Sequence, residues 1–233
     1  MSASPKLFDP AKHLAYVPPK AIHTLEDLCL PPSPISQMAS TDPFPLLSEE
    51  AIREHRRELF SKELLDNCMY HTRAGSVQLR GMAPRYAPFI HQFWTSPEVL
   101  RIVSDLAGVD LVPVEDYEIC HTNVQLGPDG IEGVRNTPDM PPAAPEVAVA
   151  PEARQGGGGD SGPAKKPAVV PWHRDSYAFV CVVMLSDAKH MTDGETEIQR
   201  GDGTTTKVRS PQMVSDSAPL SSRSFKPRGR SLS

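Results

Sequence analysis

The chain has 233 residues and a formal net charge of −5, long enough for one domain with extensions or for two small ones. The acidic balance, with a pI near 5.9, argues against a nucleic-acid-binding protein, and no run approaches the roughly 20 apolar positions of a membrane span. Met1-Ser-Ala-Ser-Pro-Lys6 lacks the apolar core of a secretory signal, and Cys29, Cys68, Cys120 and Cys181 lie far apart with no Cys-x-x-Cys spacing, which suits reduced thiols in a cytoplasmic protein.

Proline, with 25 residues, stands at about twice its usual share of roughly 5% and clusters. Residues 1–46 carry Val17-Pro18-Pro19, Leu30-Pro31-Pro32 and Asp42-Pro43-Phe44-Pro45, and are expected to drape over a surface or remain extended and disordered. A helix then begins at Ser48, an N-cap followed by Glu49 and Glu50 at the positive end of the dipole. Leu47 and Ile52 form a hydrophobic staple over that start. Ile52, Leu59, Phe60, Leu64 and Leu65 give the helix an apolar stripe, and its end is expected near Asp66-Asn67. Residues 77–81 read as a short strand. Residues 84–94 and 96–106 read as two helices, the second capped by Ser96 with Pro97 at its first position and Gly108 as its stop.

A long strand is expected over 111–126. Its alternation would put Tyr117, Ile119, His121, Asn123 and Gln125 on one face. Residues 127–168, with Pro-Pro-Ala-Ala-Pro and Gly156 to Gly159, read as a flexible insertion inside a domain. Strands follow at 169–173, 178–186 and 195–200, and Gly201-Asp202-Gly203 is a hairpin turn leading to a return strand at 204–209. Residues 214–233 are rich in Ser, Pro, Arg and Lys without apolar periodicity and read as a disordered tail. The domain proper is therefore 47–213.

The chemistry concentrates in Pro171-Trp172-His173-Arg174-Asp175-Ser176-Tyr177. A His and an Asp two residues apart on a strand point to the same side, and such a pair can supply two of the three ligands of a two-histidine, one-carboxylate iron face. The same triplet also occurs in protein-kinase catalytic loops. Here, however, Val180 stands where the kinase Asn is required, and no Asp-Phe-Gly follows.

Taken together, His173-Arg-Asp175, Val182-Val-Met-Leu185-Ser-Asp187 and Asp193-Gly194-Glu195-Thr196 resemble the iron(II)/2-oxoglutarate-dependent dioxygenases. The likeness is to the prolyl-hydroxylase-like and phytanoyl-hydroxylase-like members, and to an uncharacterised fungal group. It covers roughly residues 110–126 and 169–213, with Asp193 in place of a family glycine. It implies an α+β fold in which helices precede a partial double-stranded β-helix (jelly roll). His173 and Asp175 would hold Fe(II), and Tyr117 and Asn123 would reach 2-oxoglutarate. The implied reaction is oxidation of a C–H bond on a small molecule or protein side chain, coupled to decarboxylation of 2-oxoglutarate to succinate.

The chain departs from the family after Asp175. The family places a second His several strands downstream, followed by an Arg or Lys. This sequence offers only His190, on a turn and too close in sequence. His121 could substitute as a ligand. Pro211-Gln212-Met213 looks like the start of the family's next strand, so a change of reading frame or splice site near Met213 is expected, leaving the chain truncated before the distal His. The alternative to an enzyme is a non-catalytic jelly-roll remnant serving as a binding module.

Overall fold

The computed structural model describes residues 6–73, 76–138, 177–186 and 196–208. Its architecture is α+β, with helices packed beside small antiparallel sheets. The first helix, α1 (Pro10–His13), starts after Asp9, whose side chain accepts from the Ala11 amide. Strands β1 (Ile22–Thr24) and β2 (Met38–Thr41) then pair antiparallel. The N-terminal segment is therefore not disordered over its described part. Proline limits its regular structure, yet Phe44, Leu46 and Leu47 are fully buried and anchor it to the helices.

Helix α2 (Glu49–Leu59) begins at Ser48 as its sequence dictates, with the hydroxyl accepting from the Ala51 amide at 3.2 Å. It stops earlier than expected. Ser61 caps a separate helix, α3 (Lys62–Cys68), by accepting from the Leu64 amide, so the single apolar stripe is carried by two helices that meet at Phe60. Strands β3 (Met69–Arg73) and β4 (Ser76–Leu79) form a hairpin. Helix α4 (Pro88–Thr95) starts four residues later than expected, after a turn over 83–86. Helix α5 (Pro97–Ala107) matches expectation at both ends: Ser96 caps it, and Gly108, at φ +66°, closes it in the left-handed region.

The expected long strand over 111–126 does not form. Asp116–Glu118 is a turn of 3-10 helix, Cys120 has φ +58°, and only β5 (Thr122–Gln125) is a strand. It completes a sheet of order β3-β4-β5, with Val77 opposite Val124 and Gln78 opposite Asn123. The break has a physical cause. The Gly81 amide donates to the Tyr117 carbonyl and Arg80 pairs with Glu118, which holds a turn where alternation alone suggested extended chain. Tyr117 and Asn123 thus do not share one strand face.

The first part of the supposed flexible insertion is ordered. Helix α6 (Gly130–Arg135) buries Val134 against the β3-β4-β5 sheet and α3, and Arg135 pairs with Asp66 at 2.8 Å. The expected strand at 169–173 lies outside the described residues. Residues 178–186 keep the expected period of two, because Phe179, Cys181, Val183 and Leu185 pack on the helical core. They form no strand, however. Arg56, buried in α2, instead accounts for the end of this segment by donating to the Leu185 carbonyl at 2.7 Å and the Ser186 hydroxyl at 3.3 Å. Finally β6 (Thr196–Gln199) and β7 (Thr205–Val208) form the expected hairpin.

Two larger cores result. One lies between α2, α4 and α5, centred on Phe89 and Phe93, each worth roughly 2–3 kcal/mol on burial. The other lies between α3, the β3-β4-β5 sheet and α4. A third, small cluster joins Leu25, Leu28 and Ala39 to Ile198 of β6. The sheets stay separate, and no closed barrel forms among the described residues. No described helix is long and apolar enough to cross a membrane.

Candidate functional site

The end of β4 and the turn before β5 bring together Arg80, Tyr117, Glu118 and His121. Along β4 the alternation buries Val77 and Leu79 and turns Gln78 outward, where its amide donates to Asn123 Oδ1 at 3.1 Å. Arg80 follows, and its guanidinium pairs with Glu118 and lies 5.1 Å from the Tyr117 ring centroid, a cation–π contact. Gly81 is required beneath that ring. Its φ is +69°, and a Cβ there would sit 2.7 Å from Tyr117 Cε2. The Tyr117 and Tyr70 side chains are hydrogen-bonded to each other, which raises the Tyr70 phenol.

His121 completes the group. Its Nδ1 stands 3.7 Å from Glu118 Oε2, while its Nε2 and the Arg80 Nε are buried with no hydrogen-bond partner. Burial, then the Arg80 charge, lowers the His121 pKa against the opposing pull of Glu118, so the ring is neutral at pH 7. The carboxylate facing Nδ1 favours the proton there and leaves a lone pair on Nε2. From the far side of the chain, Tyr177 donates to Glu115 Oε1 at 3.3 Å. Burial and the nearby Glu118 and Glu115 carboxylates push its phenol up.

Of the residues singled out from the sequence, Tyr117 and Asn123 lie within this region but apart: Tyr117 on the Arg80 side, Asn123 exposed on β5 and held by Gln78. His173, Asp175 and His190 lie outside the described residues. Among the described residues, no three His, Cys, Asp or Glu side chains stand close enough to hold a metal. None of the four cysteines forms a disulfide, and burial pushes the Cys120 thiol up to about 11. The sequence reading missed Arg80, Glu118 and Tyr177. The signals available were Arg80-Gly81 ending a strand and the Glu118-x-x-His121 spacing.

Comparison of the chain with protein-family models, curated proteins and solved structures found no match.

Proposed function

We propose that this chain is an iron(II)/2-oxoglutarate dioxygenase-like protein with a jelly-roll ancestry, acting in the cytoplasm on a small molecule or a protein side chain. The observation that carries the reading is His173-Arg174-Asp175 followed by Gly194-Glu195-Thr196. An imidazole and a carboxylate suit iron(II), and the neutral, unpartnered Nε2 of His121 fits the same donor chemistry. Bound iron and 2-oxoglutarate would supply oxidation of a C–H bond; the chain's task is to hold and orient them. His173 and Asp175 would hold the metal. Tyr117 and Asn123 would contact 2-oxoglutarate, and the Arg80–Glu118 pair would keep the Tyr117 ring in place.

The test is anaerobic binding of Mn(II) and 2-oxoglutarate to the full chain, followed by succinate formation with Fe(II) and O2. Saturable metal binding that is abolished by Asp175→Ala supports the reading, and absence of metal binding overturns it. The alternative reading is a non-catalytic binding module. Metal binding without succinate formation from 2-oxoglutarate would select it.

A further inference from the structure

We propose that the surface formed by residues 110–118 and the tyrosines beside them docks an arginine-bearing peptide segment of a partner protein, a role separate from any iron chemistry. The first observation behind it is exposed apolar area. Leu111 turns inward onto the helical core, and its amide donates to the Ser104 hydroxyl at 2.9 Å. Val112 and Val114 stand 80% and 61% exposed. Tyr117 and Tyr70, hydrogen-bonded to each other, are 44% and 45% exposed, and Tyr177 reaches Glu115 from a distant part of the chain. Exposed apolar side chains grouped with tyrosines mark surfaces that meet a partner.

The second observation is charge, and it selects the occupant. Residues 110–118 carry Asp110, Glu115, Asp116 and Glu118 and no arginine, lysine or histidine. Among the described residues, Arg80 is the one arginine or lysine that pairs with any of these carboxylates. Two histidines stand near them, His91 at 3.5 Å from Asp116 and His121 at 3.7 Å from Glu118. Acidic groups beside aromatic rings repel nucleic acid and anionic lipid and draw in a cation. Arg80 shows within the fold which cation fits. Its guanidinium lies 5.1 Å from the Tyr117 ring centroid while it pairs with Glu118. A guanidinium arriving from outside finds the same two kinds of contact in the exposed Glu115 and Asp116 and in the exposed tyrosine rings. An ammonium, a point charge without a planar face, uses them less well.

The experiment follows the fluorescence anisotropy of two labelled peptides of equal length and charge, titrated with the full chain at physiological ionic strength. One peptide alternates arginine with glycine and the other lysine with glycine. The arginine peptide is expected to bind about threefold or more tightly than the lysine peptide, the order of one guanidinium–ring contact. Glu115→Gln combined with Asp116→Asn is expected to weaken it about fivefold. Glu26→Gln combined with Glu63→Gln removes the same charge from exposed positions elsewhere and should leave binding within about twofold. Tyr117→Leu keeps the apolar surface and is expected to abolish the preference for arginine. Equal binding of the two peptides, or equal loss in the two charge variants, overturns the proposal, since general attraction to an acidic protein then accounts for it. Should Tyr117→Leu fold poorly, peptide-induced shifts in the 15N-labelled parent decide: shifts confined to residues 110–118 and β4 support docking here, and shifts elsewhere overturn it. Absence of peptide binding also overturns it, and a dimer dissociated by Val112→Glu would then identify a second copy of the chain as the occupant.

Discussion

His55 shows how far one side chain can be driven by its surroundings. Its Nδ1–H donates to the Ala51 carbonyl at 2.8 Å, and the Phe89 and Phe93 rings stand edge-on with centroids at 5.4 and 5.0 Å. Burial lowers its pKa from 6.5 to about 4. The unfolded chain therefore takes up a proton near pH 6.5 that the folded chain refuses until about pH 4. Stability from this site is fully present above pH 6.5 and is lost as pH falls toward 4, by about 3 kcal/mol in all. We expect His55→Phe to reduce the difference in urea-unfolding free energy between pH 7 and pH 4.5 by about 2–3 kcal/mol. An unchanged difference would show that the imidazole is not held neutral. Arg56, three per cent exposed, acts by hydrogen bonding. It donates to the carbonyls of Leu185 and Pro138 and to Ser186, tying α2 to Pro138 and to the Leu185-Ser186 segment. Arg56→Met is expected to cost about 1.5–3 kcal/mol in urea unfolding, because it removes part-buried hydrogen bonds made by a charged donor.

At the scale of the element, Ser96 does two jobs. Its hydroxyl donates to the Phe93 carbonyl at 3.0 Å, ending α4, and accepts from the Val99 amide at 3.3 Å, starting α5. Both bonds are buried, so Ser96→Ala is expected to cost about 1–2 kcal/mol, near the upper end for an N-cap. Denaturation midpoints measured beside Ser61→Ala, whose cap is more exposed, would check this. Equal losses would mean that the Phe93 bond contributes nothing. Caps of this kind are why the ends of α5 and the start of α2 were legible: an N-cap hydroxyl reaches amides two or three residues on, within the span that sequence chemistry controls. Strand length was not legible in the same way. Residues 111–126 alternate convincingly, yet the Arg80–Glu118 pair joins residues 38 apart and folds Asp116–Glu118 into a turn.

Across the whole molecule, the β6–β7 hairpin packs against the N-terminal β1–β2 pair. The Gly201 amide donates to the Leu28 carbonyl at 2.9 Å, Arg200 donates to the Asp27 carbonyl at 2.8 Å, and Ile198 enters the cluster of Leu25, Leu28 and Ala39. A Cβ on Gly201 would lie 1.7 Å from the Cys29 carbonyl oxygen. Gly201→Ala is therefore expected to release the hairpin while leaving the helical core intact. Hydrogen exchange would show it as lost protection over residues 196–208 with unchanged protection in α5. Retained protection in the hairpin would refute the close approach.

The candidate site divides along the same line. His173 and Asp175 were recognisable because their spacing of two is itself the chemical signal, whereas Arg80, Glu118, His121 and Tyr177 are scattered over nearly a hundred positions and converge only through the pairing of β4 with β5 and the turn before it. By itself the sequence determined where α2 and α5 begin, how α5 ends, and that Gly201-Asp202-Gly203 turns a hairpin. Each of these is settled by side-chain, Pro or Gly chemistry within about four residues. Only the tertiary structure decided that one apolar stripe is carried by two helices, that one long strand is cut to four residues, and that the C-terminal hairpin docks on residues some 170 positions earlier. Those outcomes depend on buried surface and ion pairs between distant segments, whose worth is realised only once the chain has closed on itself.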